Sequence, residues 1–290
     1  MKFRRDTSEF YVPDGRPFDD ALRRTTHMGI CAHQDDLEIM AIHGILECFM
    51  AGGRGFLGVT VTDGRGSPRG GPYASYSDEE IRRIRMEEQR KAAVVGGYSG
   101  VVFLDYPSSA LRGPESRDVV MDLRDLISLA RPSTIYTHNP ADKHDTHVAV
   151  ALRVIEALRM LPEGFHPRRL YGCEVWRDLD WMLDEDKVVL DVSAHENLSQ
   201  ALLGIYDSQI LGGKRYDLAT IGRRRAHATY HDPHAPDAGS AVVYAMDLTP
   251  LIREPELSIV EYVIGYIDRF RGDVSDRLER LLKEASVDRP

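Results

Sequence analysis

The run His33-Gln34-Asp35-Asp36 brings one imidazole and two carboxylates into four residues. It follows Met28-Gly29-Ile30-Cys31-Ala32, an apolar stretch of the length and composition of a buried strand. A second polar cluster, His138 to His147, ends in His144-Asp145-Thr146-His147. Before it stands Ser133-Thr134-Ile135-Tyr136-Thr137, short, β-branched and aromatic, which reads as another buried strand. Residues 37–50 and 148–160 read as the helices that follow these strands. In an open parallel sheet, loops after strands that point the same way meet at one edge, so the clusters converge although about 110 residues separate them. Two imidazoles and one carboxylate form a catalytic zinc donor set that leaves coordination positions open. The chemistry suggested is hydrolysis: a zinc ion lowers the pKa of bound water to about 7, and a spare carboxylate can take the proton.

These residues resemble the LmbE-like, or PIG-L, family of zinc-dependent N-deacetylases. The family pattern Ala/Pro-His-Pro-Asp-Asp stands here as Ala32-His33-Gln34-Asp35-Asp36, with Gln34 in place of proline. The pattern His-x-Asp-His stands as His144-Asp145-Thr146-His147, with Thr146 in place of aspartate. Thr62-Asp63-Gly64, Arg85-Met86-Glu87-Glu88, Phe103-Leu104-Asp105-Tyr106-Pro107 and Ser208-Gln209 extend the likeness in order over roughly residues 28–225. The resemblance implies that His33, Asp36 and His147 hold Zn²⁺ and that Asp35 is the general base. It further implies that His144 stabilises the oxyanion or protonates the leaving amine, and that Arg85 contacts substrate. Iron, cobalt or manganese would suit the same donors. Thr146 removes an acid that orients the neighbouring histidine in the family, and Pro107-Ser108-Ser109 lacks an aspartate often found there.

The implied activity is removal of an N-acetyl group from an amino sugar or sugar conjugate. Two other readings stay open: a zinc hydrolase for a non-sugar C–N bond, and a metal-stabilised carbohydrate-binding or sensor protein without turnover. Retention of Asp35 and His144 speaks against the latter, because binding alone requires neither. Each feature also has a plainer explanation. Asp-Asp after a strand serves as a helix N-cap in many proteins. His138 reads as a polar loop residue, and Arg85 lies in a charged helical stretch rich in surface pairs. His227, His231 and His234, in a stretch rich in Pro, Asp and Gly, read as a surface loop, with a lid over the site as the alternative.

The elements needed to position these groups are legible as alternating patterns. Strands near 28–32, 56–62, 100–104 and 133–137 alternate with helices near 37–52, 77–95 and 117–130. This predicts a Rossmann-like three-layer αβα sandwich with a mainly parallel sheet. No Gly-x-Gly-x-x-Gly follows the first strand, so a dinucleotide is not expected. The glycine-rich segment from Gly64 to Pro72 reads as a loop on the same edge. Further strands are expected near 170–176, 188–192 and 241–246, and helices near 194–207 and 214–229. From residue 257 the chain turns helical, with Ile259, Val260, Val263, Ile264 and Ile267 as an apolar stripe explained by core packing or by subunit contact.

The organisation expected is an arm over 1–25, a metal-binding core over 26–165 and a part completing the same domain over 166–290. With 42% apolar residues the 290-residue chain can bury a core. A net charge of −9 excludes a dominant nucleic-acid or anionic-membrane partner, which would demand a basic surface. A small polar substrate fits, as does a homo-oligomer. Cys31, Cys48 and Cys173 are widely spaced and read as core thiols of a cytoplasmic protein. Neither a signal peptide nor a membrane span is expected.

Overall fold

A computed structural model describes residues 1–287. Eight strands form one sheet: β1 (Glu9–Tyr11), β2 (His27–Cys31), β3 (Phe56–Thr62), β4 (Gly100–Tyr106), β5 (Thr134–His138), β6 (Arg169–Cys173), β7 (Val188–Asp191) and β8 (Val242–Asp247). Their spatial order is β1-β4-β3-β2-β5-β6-β8-β7. The five central strands β4, β3, β2, β5 and β6 are parallel, while β1, β8 and β7 pair antiparallel at the flanks. Central strands are buried on both faces, which explains their nearly unbroken apolar composition. Met28, Ile30, Leu57 and Val59 face the helices Ser116–Ala130 and Asp145–Arg159. Cys31, Phe56, Val101 and Tyr136 face the opposite layer, built by Asp36–Met40, Ile42–Cys48, Asp78–Val95 and Glu196–Gly204. The expected three-layer sandwich with a mainly parallel sheet is the observed one.

The amino-terminal segment expected as an arm supplies β1, which pairs with β4, and the helix Phe18–Arg23, whose Phe18, Ala21 and Leu22 are buried. No helix among the described residues is long and apolar enough to cross a membrane.

The helix expected over 37–52 is two helices, Asp36–Met40 and Ile42–Cys48, broken at Ala41. The cause lies far along the chain. Buried Arg224, on the helix Tyr216–Tyr230, donates through Nη2 to the carbonyls of Glu38 (2.7 Å) and Ile39 (3.2 Å). Those acceptors would otherwise serve residues 42 and 43 in a continuous helix. Arg224 also donates to Ser199 Oγ at 2.6 Å.

The short helix beginning at Asp36 is fixed by a second buried contact. Glu38 is fully buried, and its carboxylate accepts from Tyr98 (2.6 Å), Gln89 (2.9 Å) and Tyr206 (2.6 Å). Burial raises the Glu38 pKa, and the hydrogen bonds from Tyr206, Tyr98 and Gln89 oppose that rise. Removing one donor leaves a buried carboxylate oxygen without its partner, a loss of roughly 1–3 kcal/mol. Tyr206→Phe is therefore expected to lower the unfolding free energy by that amount, seen as a lower urea midpoint with the slope unchanged; an unshifted midpoint would show that the network carries no stability.

Candidate active site

β2 and β5 are neighbours and run parallel, with His27, Met28 and Gly29 opposite Thr134, Ile135 and Tyr136. From β2 the chain proceeds to β3 and β4 on one side, then returns to β5 on the other. The crevice between these strand ends is a topological switch point, where open α/β sheets bind ligands. His33 and Asp36 enter it from the turn after β2. His147 enters from the first turn of Asp145–Arg159, a helix that begins three residues earlier than the sequence pattern suggests.

The three polar groups meet. Asp36 Oδ2 lies 3.2 Å from His33 Nδ1 and 3.4 Å from His147 Nε2, and the two ring nitrogens are 3.2 Å apart. A zinc ion bound tetrahedrally by nitrogen and oxygen at about 2.0–2.1 Å sets its ligands roughly 3.3 Å apart. The donor spacing therefore fits one shared ion. His147 is wholly buried and Asp36 nearly so, while His33 keeps a small exposed edge. Burial lowers the His33 pKa to about 4 despite the hydrogen bond with Asp36, which keeps the ring neutral as a metal ligand must be.

Two further imidazoles stand near. His33, His144 and His147 have donor atoms within 4.8 Å of one another, as do Asp36, His138 and His147. His138, which the sequence pattern assigned to a loop, is the last residue of β5 and fully buried. Its Nε2 accepts the Ala32 N–H at 2.9 Å, so that lone pair is engaged, and its ring stacks on His147 at 3.9 Å between centroids. It buttresses His147 from within the sheet.

Asp142 drew no reading from the sequence. Its Oδ2 lies 3.3 Å from His147 Nδ1 and accepts from the Trp176 N–H, while Oδ1 accepts from the His144 N–H. The contact with Nδ1 leaves His147 Nε2 as the nitrogen facing Asp36. The available signal was an aspartate five residues before a histidine in a loop after a strand, too common a pattern to single out.

The adjacent carboxylates occupy opposed environments. Asp36 is held below the usual carboxylate range, because the attraction of His147 and the hydrogen bond of His33 overcome burial. Asp35 is pushed well above that range by burial, with Arg85 opposing and Asp36 reinforcing. Asp35 has φ +103°, a strained backbone for a non-glycine residue. Arg85 clamps that turn, donating to the Gln34 carbonyl, to Asp35 Oδ1 (3.2 Å) and to the Gly64 carbonyl (3.2 Å). The guanidinium is thus buried and engaged with protein groups while also lining the cavity. Gln34, in the place of the family's proline, donates to the Thr62 carbonyl at 3.2 Å. Gly64 has φ +64°, and a Cβ there would collide with the Gln34 side chain, so this position requires glycine.

The cavity above these groups measures about 330 Å³. His33, Asp35, Arg85 and His144 line its floor and sides, and Trp176 and Tyr216 add an aromatic wall. Gly64, Gly66, Ser67 and Pro68 place part of the glycine-rich loop on its rim. Burial and nearby His147 lower the His144 pKa, and Nδ1 of His144 finds no partner among the described residues. The ring is positioned by stacking on His147 at 4.5 Å. His227 lies elsewhere: it is buried on Tyr216–Tyr230, bonded to Glu174 at 3.0 Å and stacked on Tyr244, so neither surface loop nor lid describes it. His231 reaches Tyr244 Oη at 3.3 Å, and His234 is exposed.

An open α/β sheet with a three-donor polar site at its switch point defines the class. Residues 28–158 match the family model described as PIG-L, GlcNAc-PI de-N-acetylase, so the chain carries a PIG-L family domain, and both donor segments lie inside it. The fold is similar to that of GalB, the 4-carboxy-2-hydroxymuconate hydratase of Pseudomonas putida KT2440, at 18% identity and a TM-score of 0.59 over 77% of this chain and 95% of that one. It is also similar to N,N'-diacetylchitobiose deacetylase of Pyrococcus horikoshii, at 18% and 0.58 over 76% and 83%. A third similar structure is the A40926 pseudoaglycone deacetylase Dbv21, at 17% and 0.56 over 77% and 97%. The comparison with curated protein sequences returns no match.

Carboxylates that orient a metal-binding histidine typically contribute 10–100-fold in metal affinity. Asp142→Ala is accordingly expected to weaken Zn²⁺ binding by about 10–100-fold, measured by competition with a chromophoric chelator. Undiminished affinity would remove Asp142 from the set.

Proposed function

We propose that the protein is a metal-dependent hydrolase that removes an N-acetyl group from an amino sugar or sugar conjugate. The observation that carries this reading is the spacing of His33, Asp36 and His147 donors, 3.2–3.4 Å, beneath a cavity that also holds Asp35 and His144. The PIG-L domain supports it, and two of the similar folds belong to proteins described as deacetylases. The same fold also carries a hydratase, so the reaction has to be argued from the site.

Zn²⁺ held by the three donors would supply a Lewis acid for the acetyl carbonyl and lower the pKa of water at the site. Asp36 is spent as a ligand. Asp35, on the cavity wall and steadied by Arg85, takes the proton of the attacking water. His144, which also lines the cavity, donates to the developing oxyanion or to the leaving amine nitrogen. Trp176 and Tyr216, packed edge to face, give the cavity an aromatic wall for the apolar part of a sugar ring, with Lys214 Nζ lying over the Trp176 ring.

The test is acetate release from a panel of N-acetylated amino sugars by metal-loaded protein. Asp35→Asn is expected to keep one metal per chain and to cut turnover about 10²–10⁴-fold. His144→Ala should also retain the metal and lose about 10²–10³-fold. Full turnover in Asp35→Asn would overturn the base assignment, and acetate release that survives exhaustive chelation would overturn the metal dependence.

A further inference from the structure

The carboxy-terminal helix Ile259–Val287 carries a feature the active site does not use. Its first half packs on the body through Val263 and Tyr266, and through Tyr262, which donates to the Asp247 carbonyl at 2.6 Å. Arg269 adds a 2.7 Å bond to Asp186. From Val274 to Ser286 every residue is exposed. The expected apolar stripe divides accordingly: Val263 faces the core and Ile259 packs against it partly buried, while Val260, Ile264 and Ile267 are 71%, 45% and 41% exposed. The exposed set does not stop there. Val260, Ile264, Ile267, Arg271, Val274, Leu278, Leu281 and Ala285 repeat at spacings of four and three, the heptad seam of a coiled coil. Phe270 and Leu282 widen it. The ion pairs Asp273 with Arg277, Glu279 with Lys283 and Glu284 with Arg280 keep their charges off the seam.

We propose that this seam is covered by the same helix of a second copy of this chain, running antiparallel. The pattern is complementary to its own reverse. Antiparallel pairing sets Val260 against Ala285, Ile264 against Leu281, Ile267 against Leu278 and Arg271 against Val274 of the second copy. Every layer then joins one a and one d position, and the projecting half of each helix lies over the exposed stripe of the other. A parallel pair would instead place two Arg271 side chains in one layer. Against aliphatic Val274, the arginine stem packs while its head reaches water. Gly272 stands just before the projecting segment, with open space around its Cα, and a segment of that length is a marginal helix by itself. A seam of eight positions on each helix, widened by Phe270 and Leu282, has to bury more than roughly 1,000 Å² in total to hold a stable pair.

Sedimentation of the full chain at micromolar concentration is expected to give twice the 32.7 kDa of one chain. Leu278→Glu with Leu281→Glu should reduce it to one chain, with the near-ultraviolet dichroism of the body retained. The double variant Ile264→Cys, Leu281→Cys should form a covalent dimer on mild oxidation. Ile264→Cys alone should not, because its two thiols would lie about 25 Å apart along the antiparallel pair. A single-chain mass for the unaltered protein, or a dimer that survives the charged pair, overturns the proposal, and a disulfide dimer from Ile264→Cys alone overturns the antiparallel arrangement. Deacetylase turnover is not the readout, so failure here is distinct from failure of the proposed activity.

Discussion

Three lone-pair donors are held 3.2–3.4 Å apart at the floor of the cavity, with Asp36 and His147 buried, and the local structure is arranged to keep them there. Unpaired, such a cluster is unfavourable, because burying a carboxylate costs several kcal/mol after relaxation. Part of that cost is met by the backbone: the His33 N–H donates to Asp36 Oδ2 at 2.7 Å. The rest falls to neighbours that fix each donor from behind. Asp142 orients His147, Glu38 anchors the helix bearing Asp36, and Arg85 locks the turn between His33 and Asp36. Positions that look like ordinary core polarity are thus tied to the geometry of a single point.

That arrangement explains why the donors were readable in the sequence and their supports were not. His33, Asp36 and His147 follow apolar runs of strand length, and the parallel pairing of β2 with β5 carries both runs to the same edge. Arg224 and Tyr206 give no comparable signal, because they act on Glu38 and Ile39 from more than 160 residues away. The break at Ala41 was invisible for the same reason: residues 37–50 have good helical periodicity, and a tertiary contact overrides it. His227 erred in the opposite sense. Its neighbours resemble a loop, yet Glu174 and the Tyr244 ring draw it into the core. The apolar stripe after residue 257 was visible as a pattern, but only the packing of Val263 and Tyr266 separates the face that meets the body from the face that does not.

The two departures from the family pattern have different structural consequences. Gln34, standing where the family pattern has proline, ties its turn to the end of β3 through the Thr62 carbonyl while Arg85 holds the Gln34 carbonyl. The turn stays closed and Asp35 keeps its strained conformation, at a cost of order 1–3 kcal/mol. Thr146 has no such replacement. The nearby acid, Asp142, directs its carboxylate to the His147 ring and offers His144 only a contact with its backbone N–H.

His144 is therefore steadied by ring packing, between His147 at 4.5 Å and Trp176 at 6.2 Å, and its Nδ1 has no carboxylate partner among the described residues. An imidazole paired with an acid gains basicity, and one without it stays neutral more readily. In the proposed reaction that distinction bears on which step His144 can assist. A neutral ring can donate one N–H to a developing oxyanion, whereas protonating a leaving amine requires it first to gain a proton. Asp35, forced upward by burial beside the same cavity, is the group that can carry the proton between attack and departure. In that proposed reaction, proton transfer would fall to Asp35 and His144 would be left an orienting, hydrogen-bonding task, a division that would follow from threonine in place of an acid at position 146.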